Sequence, residues 1–222
     1  MPAAPNGLDS KPPRAYLPAM ETVLAIDTAA PRLQLALLRG DSVDVSIDEI
    51  AQGHAEIIFD RIAVLLARNG VAYADLTRIA VTTGPGSFTG LRIGLSAARG
   101  LGLALGIPVV GVPSLQAISL YAKPGHPTAV LLDARRGEAY VQRFFGPGKP
   151  WDGPLLLPMG DALRLAEQVT PTPITTPFCD IGELAGYAAD LTPSLFPPEA
   201  SYVRSADAKP QDGARIARQG AA

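Results

Sequence analysis

The chain has 222 residues, of which 47% are hydrophobic and 18% are charged, and its formal net charge is −2. This composition is typical of a globular protein with a buried core, and its acidic balance argues against a chain that binds nucleic acid by itself through a basic surface. The chain has a single cysteine, Cys179, which excludes an intramolecular disulfide. It has only two histidines, so a histidine-rich metal site is not expected. No apolar run is long enough to span a membrane, so we expect a cytoplasmic protein.

The N-terminal part predicts a leader followed by three strands. Residues 1–19 are rich in proline and lack periodicity, so we expect a disordered leader. Three strands are predicted next, with Gly40-Asp41 as a hairpin turn: Thr22–Ile26, Arg32–Arg39 and Ser42–Ile47. Asp27 ends the first strand. Asp27 is either a turn residue or, as in actin-like ATPases, the carboxylate at the end of the first strand where metal-bound phosphate is held.

A helix is predicted from Gly53 to the stop signal Asn69-Gly70. Its apolar stripe contains Ile58, Ile62, Leu65 and Leu66. His54 lies at the helix start, with no second histidine or cysteine at the spacing of metal ligands. It is a cap or contact residue or, alternatively, a metal ligand.

A glycine-rich loop follows a strand predicted over Leu76–Val81. Gly84, Gly86 and Gly90 force a tight turn, and Ser87 or Thr89 can cap the next helix. A strand, a glycine turn and a helix N-terminus present backbone N–H groups to an anion. The spacing matches neither a Walker loop nor a dinucleotide fingerprint. The candidate phosphate-loop-like residues are Asp27, Thr28, Gly84, Pro85, Gly86, Ser87, Thr89 and Gly90.

The helix predicted over Leu91–Leu105 carries Gly94, Ala98 and Gly102 on one face. Two glycines inside a helix cost about 1 kcal/mol each relative to alanine, which indicates close approach by another element. That element is either the chain's own sheet or a second helix docked in the groove. The opposite face is also apolar, so we expect this helix to be buried on both sides.

The second half is less regular. Its predicted strands and helices are Val109–Val112, a helix from Pro113, Thr128–Leu132, Gln142–Phe145, Asp161–Gln168 with Asp161 as its cap, and Gly182–Leu191. A charged turn at 133–138 is either solvated or a partner or ligand contact, and 146–158 is predicted as a loop. We expect subdomains at 20–110 and 111–208, and a polar tail at 209–222 that could be helical. The element order fits a ribonuclease-H-like core.

Four segments carry a resemblance to a known family: Leu24–Ala29, Thr82–Ile118, Asp133–Tyr140 and Tyr202–Arg204. Over about residues 21–208 the sequence resembles the bacterial TsaB family of tRNA threonylcarbamoyladenosine biosynthesis proteins, formerly called YeaZ and classed as glycoprotease-like. The resemblance implies an α/β, actin-like (ribonuclease-H-like) ATPase fold of two subdomains with a degenerate active site.

The resemblance also implies a non-catalytic protein without cofactor or metal. Family members pair with the catalytic subunit TsaD, and the ATPase TsaE joins them. Together they transfer a threonylcarbamoyl group to the adenosine beside the anticodon of ANN-decoding tRNAs. We therefore expect contact with tRNA only through the complex, a homodimer when the chain is alone, and no membrane partner. The implied partner interface, a bundle of two helices from each subunit, contains His54, Ile58, Ile62, Gly94, Ala98 and Gly102.

The catalytic paralogue binds metal through a His-x-x-x-His motif, and the matching positions here are Ser114 and Ile118. Neither side chain can replace an imidazole, so the resemblance favours a non-catalytic partner. Two other classes remain open. An ATP-binding phosphotransferase or ATPase of the actin-like superfamily would use Asp27 and the glycine loop. A protease, suggested by the older family name, lacks any nucleophile and histidine at a known spacing.

Overall fold

The computed structural model describes residues 21–201 and residue 203. The strands of its first sheet are β1 (Thr22–Asp27), β2 (Leu33–Arg39), β3 (Ser42–Asp48), β4 (Arg78–Thr82) and β5 (Val109–Val112). They lie in the order β3-β2-β1-β4-β5. The first three strands pair antiparallel, whereas β1, β4 and β5 are parallel.

Helices cover both faces of this sheet because its central strand is apolar on both sides. On one face, α1 (His54–Arg68) and α2 (Phe88–Leu105) pack against Leu24 and Ile26. On the other face, α5 (Ile181–Ala189) packs against Val23 and Ala25. The alternation of side chains along β1 thus divides the interior into two layers.

The strands of the second sheet are β6 (Thr128–Asp133), β7 (Glu138–Gly146), β8 (Lys149–Pro150) and β9 (Leu155–Pro158), with α4 (Met159–Glu167) packed on one face. The sheet is antiparallel, and β7 is its central strand. The short helix α3 (Ser114–Ile118) links the two sheets. Val130 and Phe144 share one core with α3 and α5, so the two sheets are joined by continuous apolar packing.

Most predicted elements are present, with boundaries shifted by a few residues. The largest shift is in β7, which starts at Glu138 and not at Gln142. Three further differences concern other segments. Residues 146–158, predicted as a loop, contain β8 and β9, because pairing with β7 overrides a proline- and glycine-rich sequence. Asp161 lies in the first turn of α4 and not at its cap, which is Pro158. The expectation that α2 is buried on both sides is wrong, since Arg92, Ser96 and Leu103 are exposed.

Other expectations stay open. The leader 1–19, the tail 209–222, Tyr202 and Arg204 lie outside the described residues. The subdomain boundary at 110–111 stays a prediction; in the structure β5 belongs to the first sheet and α5 packs on that sheet. Among the described residues, no helix combines the length and hydropathy needed to cross a membrane.

Candidate functional site

A cleft of about 610 Å³ opens between the carboxyl ends of β1 and β4 and the second sheet. It gathers residues from segments that are far apart in sequence, including three of the segments that carried the resemblance. Its lining includes Asp27, Ala29, Thr82, Pro85, Gly86, Ser87, Ser114, Ile118, Asp133, Arg135, Tyr140 and Cys179. Because parallel strands end at a common edge, β1 and β4 bring Asp27 and the glycine loop together there.

The buried carboxylate of Asp27 is fully engaged by groups of its own chain. Oδ1 accepts hydrogen bonds from the Thr82 hydroxyl (2.6 Å) and the Ala29 backbone N–H (3.0 Å). Oδ2 accepts from the Gln34 side-chain amide (2.9 Å) and the Cys179 thiol (3.6 Å). These four donors come from β2, β4 and two loops. In this arrangement Asp27 joins four segments of the fold, and a metal ion would have to displace donors already in place.

The glycine loop closes on the segment that follows β1. The Ser87 N–H donates to the Ala29 carbonyl (2.7 Å), and the Thr28 hydroxyl donates to the Gly90 carbonyl (2.7 Å). A Cβ atom at Gly86 would lie 2.5 Å from the Ala29 oxygen, and one at Gly90 would overlap the Thr28 oxygen. These two glycines are therefore required by close backbone packing.

The cap of α2 is Ser87, whose hydroxyl accepts from the Gly90 N–H (3.2 Å). Two N–H groups expected to face an anion, those of Ser87 and Gly90, are thus bonded within the chain. Phosphate binding by the predicted loop stays a prediction. The loop geometry seen here is stabilised without it.

Ser114 and Ile118, the first and last residues of α3, both line this cleft. The Ser114 hydroxyl accepts from the Gly84 N–H (3.1 Å), while the Ser114 N–H donates to the Gly84 carbonyl (2.7 Å). Ile118 is buried and has no donor atom for a metal. Over the described part of the chain, no three His, Cys, Asp or Glu side chains are grouped so as to hold a metal ion.

The charged turn 133–138 forms one rim of the cleft. Asp133 Oδ1 accepts from the Arg135 N–H (2.7 Å), and Arg135 and Arg136 both adopt left-handed backbone conformations, with φ of 65° and 57°. Such conformations are uncommon outside glycine and asparagine, so this bond helps to hold the turn. Asp133 and Arg135 are exposed and also line the cleft. The turn is therefore exposed to solvent, and a partner or ligand contact there stays a prediction.

Three side chains of the Asp27 cluster were not predicted as site residues: Gln34, Thr82 and Cys179. Thr82 lies at the start of a segment that carries the family resemblance, so that segment could have indicated it. Cys179 lies 152 positions from Asp27, so no local pattern links them. Gln34 left a weak signal, since it interrupts the apolar run Leu33–Leu38 of β2. A buried polar side chain inside an apolar strand requires a partner, and here that partner is Asp27.

Burial raises the pKa of the Cys179 thiol well above its ordinary value of 9.0, and the neighbouring Asp27 carboxylate raises it further. Cys179 is the only cysteine, so thiol labelling reports on this site alone. We expect labelling by Ellman's reagent at pH 8 to be on the order of 100-fold slower in the native protein than in denaturant. Rapid stoichiometric labelling of the native protein would contradict this burial.

The same shift predicts a dependence of stability on pH. The folded state favours the protonated thiol, so Cys179 makes its full contribution to the free energy of unfolding below the thiol pKa of the unfolded chain, near 9.0. This contribution is lost as pH rises from 9.0 towards the raised pKa of the folded state, because the thiol of the unfolded chain ionises first. Cys179→Ser should alter the pH dependence of the melting temperature in this window.

The six residues expected at a partner interface are placed inside the chain. A Cβ atom at Gly94 would overlap the Thr28 hydroxyl, and one at Gly102 would overlap the Val109 side chain. Of the two alternatives for this helix face, the structure therefore shows packing on the chain's own sheet. The set is buried as a whole: His54, Ile58, Ile62, Gly94, Ala98 and Gly102. Whether these positions also contribute to a partner interface stays a prediction.

The exposed side of the same helix pair forms a groove of about 490 Å³. Phe59 of α1 and Phe88 at the start of α2 border it, with 50% and 54% of their surfaces exposed. The Arg92 guanidinium lies 3.9 Å from the centre of the Phe88 ring. The groove is thus apolar at its centre and carries a cation on α2. We call it the α1–α2 groove.

Comparisons with known proteins agree with the resemblance seen in the sequence. A family model described as TsaD, tRNA N6-adenosine threonylcarbamoyltransferase, matches residues 48–152. The tRNA threonylcarbamoyladenosine biosynthesis protein TsaB of Escherichia coli is 36% identical over 121 residues, which are 53% of this chain and 52% of that protein. An uncharacterized protein of Mycobacterium tuberculosis is 39% identical over 157 residues, which are 69% of this chain and 70% of that protein.

The solved structure of YeaZ from Pseudomonas aeruginosa superposes with a TM-score of 0.66 at 24% identity, covering 82% of this chain and all of that one. This likeness confirms the predicted actin-like, ribonuclease-H-like α/β fold. The chain spans about half the length of the Escherichia coli TsaB that it matches. The sequence matches carry the family, and this chain therefore belongs to the TsaB/YeaZ family of TsaD-like, glycoprotease-like proteins.

Proposed function

We propose that this chain is the non-catalytic partner of a TsaD-like subunit. The complex would place the threonylcarbamoyl group on the adenosine beside the anticodon of ANN-decoding tRNAs. The observation that carries this proposal is the chemistry of the cleft. Asp27 is engaged by four donors of its own chain. By the family resemblance, Ser114 and Ile118, which line the same cleft, match the metal-binding histidines of the catalytic paralogue.

The cleft supports a structural role because the side chains of Asp27, Thr82 and Ser114 already have partners in the chain. Group transfer requires reactive or metal-binding side chains whose atoms are free to contact the substrate. Here the Asp27 oxygens hold strands together, and the Ser114 hydroxyl is bonded to the glycine loop. Catalysis in the complex is then the task of the TsaD-like subunit, and this chain contributes a folded surface.

The α1–α2 groove is the proposed contact surface for that subunit. Two half-exposed phenylalanines on adjacent helices are unfavourable in water and are typical of a surface that a partner covers. Aromatic side chains and arginine are also enriched at the centres of interfaces. The same surface would form a homodimer when the chain is alone, because a two-fold interface uses one patch twice. A TsaE-like ATPase would join the assembled pair.

The alternative of an ATP-binding phosphotransferase or ATPase finds less support. It would need Asp27 to bind metal and the glycine loop to bind phosphate. The Asp27 carboxylate and the N–H groups of Ser87 and Gly90 are used within the chain. Titration of the isolated chain with a fluorescent ATP analogue distinguishes the two functions: saturable binding with steady hydrolysis would favour the enzyme.

The proposed function is tested by co-expression with the TsaD-like paralogue of the same organism. We expect the two chains to co-elute in size-exclusion chromatography. We also expect threonylcarbamoyl transfer to an ANN-decoding tRNA transcript to require both, with no transfer by this chain alone. Full transfer in the absence of this chain would contradict the proposal, as would failure of the two chains to associate.

A further inference from the structure

An aromatic pair on the second sheet lies away from both the cleft and the α1–α2 groove. The rings of Phe145 and Trp151 stack with their centres 4.8 Å apart and their planes 10° from parallel. They are exposed to 55% and 46%, respectively. Single exposed apolar residues are common on protein surfaces, but two adjacent aromatic side chains form a continuous apolar patch.

Hydrogen bonds behind the pair hold it in place. The Trp151 N–H donates to the Arg143 carbonyl (2.9 Å), which fixes this end of the hairpin. The Arg143 guanidinium donates to the Asp152 carboxylate (2.7 Å) and lies 5.3 Å from the centre of the Trp151 ring. The Gln142 side-chain amide donates to the Asp152 carbonyl (2.7 Å). Because these contacts come from β7 and the segment after β8, the rings are presented in a defined orientation.

A cationic side chain lies close to the aromatic pair in sequence. The exposed Lys149 lies on β8, where it pairs with Gly146, the residue next to Phe145. Lys149 also precedes Trp151 by two residues, and alternate residues of an extended segment lie on the same side. The nearby Asp152 forms an ion pair with Arg143. Lys149 is therefore the exposed cation that this hairpin supplies near the pair.

We propose that Phe145 and Trp151 form a stacking site for an unpaired base of an RNA, with Lys149 placed to contact its phosphate. One face of Phe145 is covered by Trp151, and its outer face can accept a flat base in the same stack. Proteins bind unpaired bases through aromatic rings combined with cations along the backbone, without need of a deep pocket. That the RNA is a tRNA rests on the proposed function. The stacking site itself does not.

The probes are an unmodified transcript of an ANN-decoding tRNA and a short single-stranded RNA containing 4-thiouridine. With the complex of this chain and its TsaD-like partner, we expect Phe145→Ala to raise the Kd for the tRNA about tenfold, the usual loss for one stacked base. Lys149→Glu should raise it less, and more at low salt than at high salt. Leu195→Ala, a truncation of an apolar residue that is 74% exposed elsewhere, should leave the Kd unchanged.

Photocrosslinking of the 4-thiouridine RNA to the isolated chain locates the contact, and we expect crosslinked peptides to contain Phe145 or Trp151. Phe145 is half exposed, so Phe145→Ala should leave the melting temperature unchanged. Phe145→Ala therefore tests the stacking site even if the companion variant Trp151→Ala fails to fold. A Kd within twofold of the parent for both Phe145→Ala and Lys149→Glu would overturn the inference. So would loss of the TsaD-like partner by Phe145→Ala, since the patch would then contact protein.

The two proposals fail separately. If the chains associate and transfer the group, but Phe145→Ala changes nothing, only the stacking site is refuted. If the chains do not associate, the proposed function fails, and crosslinking of the isolated chain still decides whether the aromatic pair contacts RNA.

Discussion

Gly90→Ala is expected to lower the free energy of unfolding by at least about 3 kcal/mol, the upper part of the range for overpacked positions. The new Cβ atom would overlap the carbonyl oxygen of Thr28, which is backbone and cannot rotate away. The hydrogen bond from the Thr28 hydroxyl to the Gly90 carbonyl also ties the two segments together. For a chain of this size the loss corresponds to roughly 6–12 °C in melting temperature.

The matched control is Gly100→Ala in the same helix. No atom lies within 4 Å of a Cβ atom built at Gly100, which is exposed. Alanine should therefore stabilise α2 by about 0.5–1 kcal/mol through its helix propensity. Thermal melts followed by circular dichroism compare the two variants. A Gly90→Ala variant as stable as the parent would show that the glycine loop does not pack on Thr28 as described.

Phe59→Glu is expected to weaken binding of the TsaD-like partner by about 100-fold or more, a loss typical of an aromatic residue at the centre of an interface. Half of Phe59 is exposed in the single chain, so a charge there costs little until a partner covers it. The melting temperature of the isolated chain should stay within about 2 °C of the parent, as for other surface substitutions. Affinity is measured by titration of the purified partner.

Ala98→Leu provides the opposite pattern. Ala98 is fully buried between α2 and the first sheet, so the larger side chain should destabilise the chain by about 1–3 kcal/mol. Once folded at low temperature, the variant should bind the partner with unchanged affinity. If Phe59→Glu instead retains the complex, the α1–α2 groove is not the contact surface.

The sequence predicted those features that depend on local patterns. The apolar run of β1, the glycine turn and the Ser87 cap each follow from residues within a few positions of each other. Periodicity also identified the face of α2 that carries Gly94 and Ala98. It did not identify what covers that face, because a small-residue stripe fits a sheet and a partner helix equally well.

The remaining features depend on contacts between distant segments. The partners of Asp27 lie on β2, on β4 and just before α5, and only folding brings them together. β9 forms because four residues of a breaker-rich segment find β7 as a pairing partner. Propensity is a weak guide where tertiary pairing supplies most of the stabilisation.

The position of α5 sets an order of events during protein synthesis. Helix α5 supplies Ile181, Leu184 and Ala188 to the core on one face of a sheet whose first three strands end at Asp48. Until α5 has emerged from the ribosome, the part of that sheet face that α5 covers stays accessible to water. Contacts of such large sequence separation form late and leave apolar surface accessible meanwhile. The strands of the first sheet end at Val112, but one of its faces is fully covered only when α5 has been translated as well.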